Sequence, residues 1–209
     1  MGELHVLDHP LIQHKLTVLR DVNTPFKQFR ETLAQITSLM CYEVTRKLPT
    51  EEKQVQTPLT TASFPVLACK APVIVPILRA GLGMVEPFLQ LLPEARVGHI
   101  GLSRDEETHM PIKYYCKMPP DVQDSPAFIV DPMLATGGSA SDAITFVKEY
   151  GCTNITLVDI LSAPEGIAKV QKDHPDVDIF VAAVDDGLND RAYIVPGLGD
   201  AGDRIFGTK

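Results

Sequence analysis

The stretch Ala127-Phe-Ile-Val-Asp-Pro-Met-Leu-Ala-Thr-Gly-Gly-Ser139 reads as a buried strand that runs straight into a loop able to hold a phosphate. Its apolar run from Ala127 to Val130 is short enough for an interior strand. Asp131 falls at the carboxyl end of that run, where open α/β sheets place their ligands. Thr136 and Ser139 then supply hydroxyls, and Gly137 and Gly138 leave backbone amides uncovered by side chains. The next segment, 141–149, repeats its apolar residues at helical spacing. The positive end of that helix would face the loop, which suits an anion.

No Gly-Lys-Ser/Thr follows the glycines, so this is not the loop of a Walker-type nucleotide triphosphatase. Outward from it, further buried strands are expected at 71–78, 97–101, 154–160 and 178–183, with helices near 83–92 and 165–173 between several of them. Such alternation predicts an α/β fold, a mostly parallel sheet flanked by helices. Residues 4–7 read as an edge strand or arm, and 51–64 as a hairpin or edge segment. Apolar Phe26, Phe29, Leu33, Ile36, Leu39 and Met40 keep a helical period, predicting a helix over 24–47 with Asn23 or Thr24 as its N-cap. No linker divides the chain, so 1–209 is read as a single domain. The segment 191–209 is read as a loop folding back over the carboxyl ends of the strands.

Three further motifs weigh differently. Leu78-Arg-Ala-Gly-Leu-Gly-Met-Val-Glu86 follows a strand and opens a helix, but Glu86 replaces the third glycine of a dinucleotide fingerprint. A turn needing glycine explains Gly81 and Gly83 and leaves Arg79, at the strand's end, unexplained. The segment 103–124 mixes charge with prolines, the composition of an exposed hairpin carrying Arg104, and by composition alone it is a solvated loop. Gly197-Leu-Gly-Asp-Ala-Gly202 could be a plain turn, although its Asp200 is not required by one and apolar Tyr193-Ile-Val195 precedes it.

At 209 residues the chain can bury a full core, about 70% of its unfolded surface by size alone. The four cysteines, Cys41, Cys69, Cys116 and Cys152, are scattered with no Cys-x-x-Cys pair, which predicts reduced, packed thiols. No stretch approaches the roughly 20 apolar residues of a membrane span, and no basic segment leads into an apolar run near Met1. A soluble, cytoplasmic protein with no membrane partner is expected. His5, His9 and His14 are irregularly spaced and make a poor metal set. The net charge of −8 argues against nonspecific nucleic-acid binding. An anionic substrate would then need locally concentrated positive charge, for which Arg79 and Arg104 are candidates.

Taken together, Leu78-Arg-Ala-Gly-Leu-Gly83, Ser103-Arg-Asp-Glu-Glu-Thr108, Asp131-Pro-Met-Leu-Ala-Thr-Gly-Gly-Ser139 and Tyr193-Ile-Val-Pro-Gly-Leu-Gly-Asp-Ala-Gly-Asp-Arg204 resemble the uracil phosphoribosyltransferases, in order and spacing and over the whole length. Pro132 stands where most phosphoribosyltransferases carry a second acidic residue, a variation that the uracil enzymes share. The resemblance implies a type I phosphoribosyltransferase fold with a base-binding hood and a flexible hairpin. It also implies transfer of the phosphoribosyl group from 5-phosphoribosyl 1-diphosphate to uracil. By resemblance, Arg79 and its loop face the diphosphate, Arg104 reaches it when the hairpin closes, and Asp131 binds ribose hydroxyls. Pro132, Met133, Leu134 and Ala135 contact 5-phosphoribosyl 1-diphosphate, and Thr136, Gly137, Gly138 and Ser139 hold its 5′-phosphate. Backbone groups of Ile194, Gly199, Asp200 and Ala201 read uracil, with Asp200 near the diphosphate. Asp203 and Arg204 are expected to brace the loop as an ion pair. Mg²⁺ is expected as a cofactor held by the substrate rather than by protein ligands. A homodimer or larger homo-oligomer and a GTP effector are known among relatives. Two other readings compete: a non-catalytic RNA-binding regulator of the same fold, and a nicotinamide-dependent oxidoreductase resting on Gly81 and Gly83.

Overall fold

The computed structural model describes residues 2–104 and 111–208, with the backbone alone at 103–104 and 111–113. In chain order the elements are β1 (Leu4–Val6), α1 (Pro10–Arg20), α2 (Phe26–Val44), β2 (Thr50–Gln56), β3 (Thr61–Leu67) and β4 (Val73–Leu78). A 3₁₀ turn (Ala80–Met84), α3 (Val85–Leu91), β5 (Arg96–Val97), β6 (His99–Arg104), β7 (Pro111–Lys117), β8 (Ala127–Leu134) and α4 (Gly138–Glu149) follow. The chain continues through β9 (Ile155–Ser162), α5 (Pro164–Asp173), β10 (Asp178–Val184), β11 (Gly187–Leu188), β12 (Ile194–Val195) and α6 (Ala201–Phe206).

The main sheet runs β1-β10-β9-β8-β4-β6-β7, with β5 also paired to β4. Every pairing in it is parallel except β6 with β7. This is the expected α/β architecture, and its cause is visible in burial: β4, β8, β9 and β10 are apolar on both faces, so both must be covered. One face packs Ile74, Phe128, Val130 and Val158 against Leu16, Leu19, Phe29, Leu33 and Met40 of α1 and α2. The other packs Val75, Ile129, Leu157 and Val181 against Ala143, Ile144 and Val147 of α4 and Ile167 and Val170 of α5. Because parallel strands need crossovers, their carboxyl ends gather on one edge, where the loops are free to build a site.

Four local expectations are revised. Helix α1 went unread in the sequence, although Pro10 is pre-set for a first turn and Ile12, Leu16 and Leu19 make a buried stripe. Helix α2 begins at Phe26 with Pro25 at its N-cap and no side-chain cap. Thr24 instead donates its hydroxyl to the Val18 carbonyl at 2.6 Å, and Asn23 turns to Asp21. Strand β8 runs to Leu134, because β9 continues to pair with it beyond Asp131. The segment read as a terminal loop contains β12 and α6.

Hairpin β2–β3 pairs Thr50 with Leu67 through Gln56 with Thr61 as a separate two-stranded sheet. Cys41 and Cys152 are buried free thiols, and burial pushes Cys41 up to about 12. Among the described residues no helix is long and apolar enough to cross a membrane.

Candidate active site

The carboxyl ends of β4 and β8 and the terminal loop enclose two adjoining hollows. The smaller, of about 90 Å³, is lined by Asp131, Met133, Leu134, Ala135, Thr136, Gly137, Ser139 and Ala140. Its floor is the start of α4, whose first amides have no intrahelical acceptor and therefore favour an anion. Gly137 takes φ +77° at the N-cap, and a Cβ there would come 2.6 Å from the Gly166 carbonyl oxygen. Only glycine lets the loop turn left-handed so close to α5. Gly138 is the first residue of α4, and Pro132 is buried; neither lines the hollow.

The larger hollow, about 220 Å³, shares Asp131, Met133 and Ala135 with the first. Its other wall is the terminal segment: Ala192, Tyr193, Ile194, Gly199, Asp200, Ala201 and Gly202, with Ala80 from the loop after β4. A buried Ile194 beside half-exposed Tyr193 makes a flat apolar surface, and the glycines leave backbone polar groups uncovered. Asp200 is the N-cap of α6, its carboxylate accepting from the Asp203 amide at 2.9 Å. Ala80, Ala192 and Gly202 had not been singled out, since small residues in turns carry no chemical signal of their own.

Asp131 is the charged residue among the three that both hollows share. Desolvation pushes it up to about 7, opposed by a hydrogen bond from the Met133 backbone N–H. Beside it in register on β9 lies Asp159, fully buried, with both carboxylate oxygens lacking a hydrogen-bond partner. Burial first, and then the Asp131 charge, raise Asp159 well above the usual carboxylate range. It was read only as part of a buried strand, although an acidic residue in such a run is itself unusual.

Arg79 follows a non-proline cis peptide after Leu78 and lines neither hollow, but its neighbour Ala80 lines the larger one, and its Nη2 is 4.0 Å from where a Cβ on Gly202 would stand. Its guanidinium is 3.6 Å from the Asp203 carboxylate and 5.8 Å from the centre of the Phe206 ring. The close turn behind it needs Gly81, where a Cβ would meet the Val130 carbonyl oxygen at 2.5 Å. Asp203 thus faces Arg79, and the expected pairing with Arg204 is replaced. Arg204 donates instead to the carbonyls of Leu198 and Asp21 at 2.8 and 2.7 Å. Arg104 ends β6, its side chain lying outside the described residues together with Asp105, Glu106, Glu107 and Thr108. The site therefore joins an anion cradle to a flat, polar-edged slot through one carboxylate, with a cation at the rim.

The sequence profile of the family described as uracil phosphoribosyltransferase matches residues 6–208. A uracil phosphoribosyltransferase of Finegoldia magna is 61% identical over 209 residues, covering 100% of both chains. Another, from Desulfitobacterium hafniense, is 57% identical over the same full lengths. A solved structure from Aquifex aeolicus superposes with a TM-score of 0.92 at 38% identity, covering 99% of each chain. An adenine phosphoribosyltransferase of Trypanosoma brucei, at 14% identity and TM-score 0.59 over 88% of this chain and 84% of its own, shares the fold. With a profile over nearly the whole chain and full-length relatives in agreement, the chain belongs to the uracil phosphoribosyltransferase family.

Proposed function

We propose that this chain transfers the phosphoribosyl group of 5-phosphoribosyl 1-diphosphate to uracil, giving uridine 5′-monophosphate and diphosphate, a pyrimidine salvage reaction. The observation that carries this reading is the continuity of the two hollows through Asp131, which matches a phosphate, a sugar and a flat base in that order. The amides at the start of α4, with Thr136 and Ser139, hold the 5′-phosphate. Asp131 accepts hydrogen bonds from ribose hydroxyls and fixes the ring. Displacement at the anomeric carbon leaves positive charge on the ring and negative charge on the departing diphosphate, so the protein's task is positional and electrostatic. Arg79 at the rim, joined by Arg104, meets the diphosphate charge; guanidinium suits this because it is always protonated and grips two oxygens at once. Asp203 releases Arg79 for that contact, and the weak 3.6 Å pairing makes the exchange inexpensive.

Mg²⁺ fits the site as a companion of the diphosphate. The nearby carboxylates Asp131 and Asp200 are hard oxygen donors, but among the described residues no cluster of three such groups could hold a metal unaided. The ion would neutralise diphosphate charge. A homo-oligomer belongs to the same reading, supported by hairpin β2–β3, which pairs with no other described strand and exposes Val55, Phe64 and Leu67. GTP as effector and a cytoplasmic location are carried by the family likeness alone. The test is formation of uridine monophosphate by the purified chain from uracil, phosphoribosyl diphosphate and Mg²⁺; absence of product with full substrate binding would overturn the reading.

A further inference from the structure

Two arginines from different helices grip consecutive peptide groups of the terminal loop, between its two stretches that line the larger hollow. Arg20, the last residue of α1, forms a forked pair with Asp185, Nη1 to Oδ2 at 2.7 Å and Nη2 to Oδ1 at 2.6 Å. The same Nη1 donates to the Gly197 carbonyl at 2.9 Å, and the Gly197 amide donates to Asp185 Oδ2 at 2.8 Å. Both backbone polar groups of Gly197 are thus tied to one ion pair, whose aspartate side chain is only 5% exposed. One residue on, Arg204 donates to the Leu198 carbonyl at 2.8 Å, and it reaches back to the carbonyls of Asp21 and Leu19 at the end of α1. Its guanidinium lies 4.4 Å from the centre of the fully buried Phe29 ring.

Packing holds the neighbouring Ile194 and Leu198 in the core, but Gly197 has no side chain to orient its own peptide groups. Gly197 has φ +67°, and a Cβ there would come 2.1 Å from the Ile194 carbonyl oxygen. Hydrogen bonds orient those two groups, and a bidentate guanidinium–carboxylate pair is among the most directional sources of them. Taking such a pair out of water gains little net stability, so its geometry is the more economical account of its presence. Neither Arg20 nor Asp185 lines either hollow. Gly199, Asp200 and Ala201, which do line the larger one, follow within four residues of Gly197.

We propose that the Arg20–Asp185 pair is a positioning device for base specificity: it sets both polar groups of Gly197, and through them the aim of the backbone groups at Gly199, Asp200 and Ala201. This rests on the proposed placement of uracil against that loop. Misplacement of a binding group by about 1 Å can cost on the order of 10²-fold, and here the loss should fall chiefly on the base, because the 5′-phosphate cradle belongs to α4 and Asp200 is the one group of this loop placed near the diphosphate.

The experiment compares full-length wild type with Arg20→Gln and Arg20→Lys, the second keeping the charge and losing the fork. In both, KM for uracil should rise roughly 10-fold, the preference for uracil over cytosine should fall, and KM for phosphoribosyl diphosphate should stay within about 2-fold. An unchanged uracil KM, or parallel rises in both KM values, would overturn the proposal. Amide hydrogen exchange on the wild type keeps the question open to refutation even where a variant does not fold. The Gly197 amide should be strongly protected without ligand, and exchange at the rate of an exposed loop would sink the clamp. Added uridine monophosphate should protect the amides of Gly199 and Ala201. Absence of that protection refutes the base placement itself, whereas protection combined with wild-type kinetics in Arg20→Gln refutes the clamp alone.

Discussion

Asp131 and Asp159 are register partners on neighbouring parallel strands, so two carboxyl groups sit side by side, one lining both hollows and the other sealed beneath. Two such groups in a desolvated place do not both ionise at neutral pH. Asp159, with no hydrogen-bond partner and no exposure, is biased towards its protonated form, so the charge the pair acquires falls first on Asp131.

That arrangement makes stability depend on pH with a defined sign. Both groups have folded values above the ordinary 3.8, Asp131 at about 7. Above pH 4 the unfolded chain has released protons that the folded protein retains, so stability falls as pH rises, through about 7 for Asp131 and with the same sign for Asp159. Asp159→Asn removes one contribution to that loss. Its melting temperature should match wild type near pH 4 and exceed it by several degrees at pH 8, as read by thermal scans at both values. Equal shifts at the two pH values would show that Asp159 ionises normally.

The activity should carry the signature of Asp131. Its carboxylate form is the one able to accept from ribose hydroxyls, so kcat/KM for phosphoribosyl diphosphate should climb along an acid limb centred near pH 7. Asp131→Asn should abolish the limb and lower kcat/KM by about 10²-fold, the scale of losing one charged, well-placed partner. A limb that persists in Asp131→Asn belongs to another group.

Gly137 is constrained twice, by its left-handed φ and by the Gly166 carbonyl 2.6 Å from where a Cβ would stand. Gly137→Val should therefore abolish binding of phosphoribosyl diphosphate and also cost about 1–3 kcal/mol of stability through backbone strain. Calorimetric titration and urea denaturation report the two effects separately. Wild-type affinity in the variant would remove this loop from the phosphate site.

Arg79 has a 59% exposed side chain, and its pairing with Asp203 is loose. Arg79→Ala should leave stability within about 0.5 kcal/mol of wild type while lowering kcat by about 10²-fold or more, the range for a lost stabiliser of transition-state charge. Steady-state kinetics beside a urea melt decide it, and a large stability loss with intact kcat would make Arg79 structural.

Backbone groups at Ile194, Gly199 and Ala201 are assigned the reading of the base edge, and this bears on selectivity. Uracil offers an acceptor at O4 beside a donor at N3–H, whereas cytosine reverses both. Cytosine should be disfavoured by about 10⁴-fold in kcat/KM, because buried polar groups would face like groups. A fluorine at C5 leaves that edge untouched, so 5-fluorouracil should be used at a rate comparable to uracil. Equal use of cytosine and uracil would rule out the terminal loop as the reader.

What could be read from the chain alone was local and contiguous. The doubly apolar strands, the glycine loop opening α4 and the hairpin β2–β3 are each written in a single short window, because periodicity and turn chemistry act between near neighbours. The order of motifs along the whole length was likewise enough to indicate the family. Only the tertiary structure decided the rest. Strand β8 reaches Leu134, beyond its apolar run, because β9 supplies partners for its backbone. Asp159 joins the edge of the two hollows only once register sets it beside Asp131. Arg204 exchanges the expected ion pair for carbonyls at the end of α1, and Arg20 finds Asp185 across most of the chain's length. Each of these depends on which segments meet, and pairing between distant segments is set by packing of the assembled layers, which leaves no periodic trace in any one window.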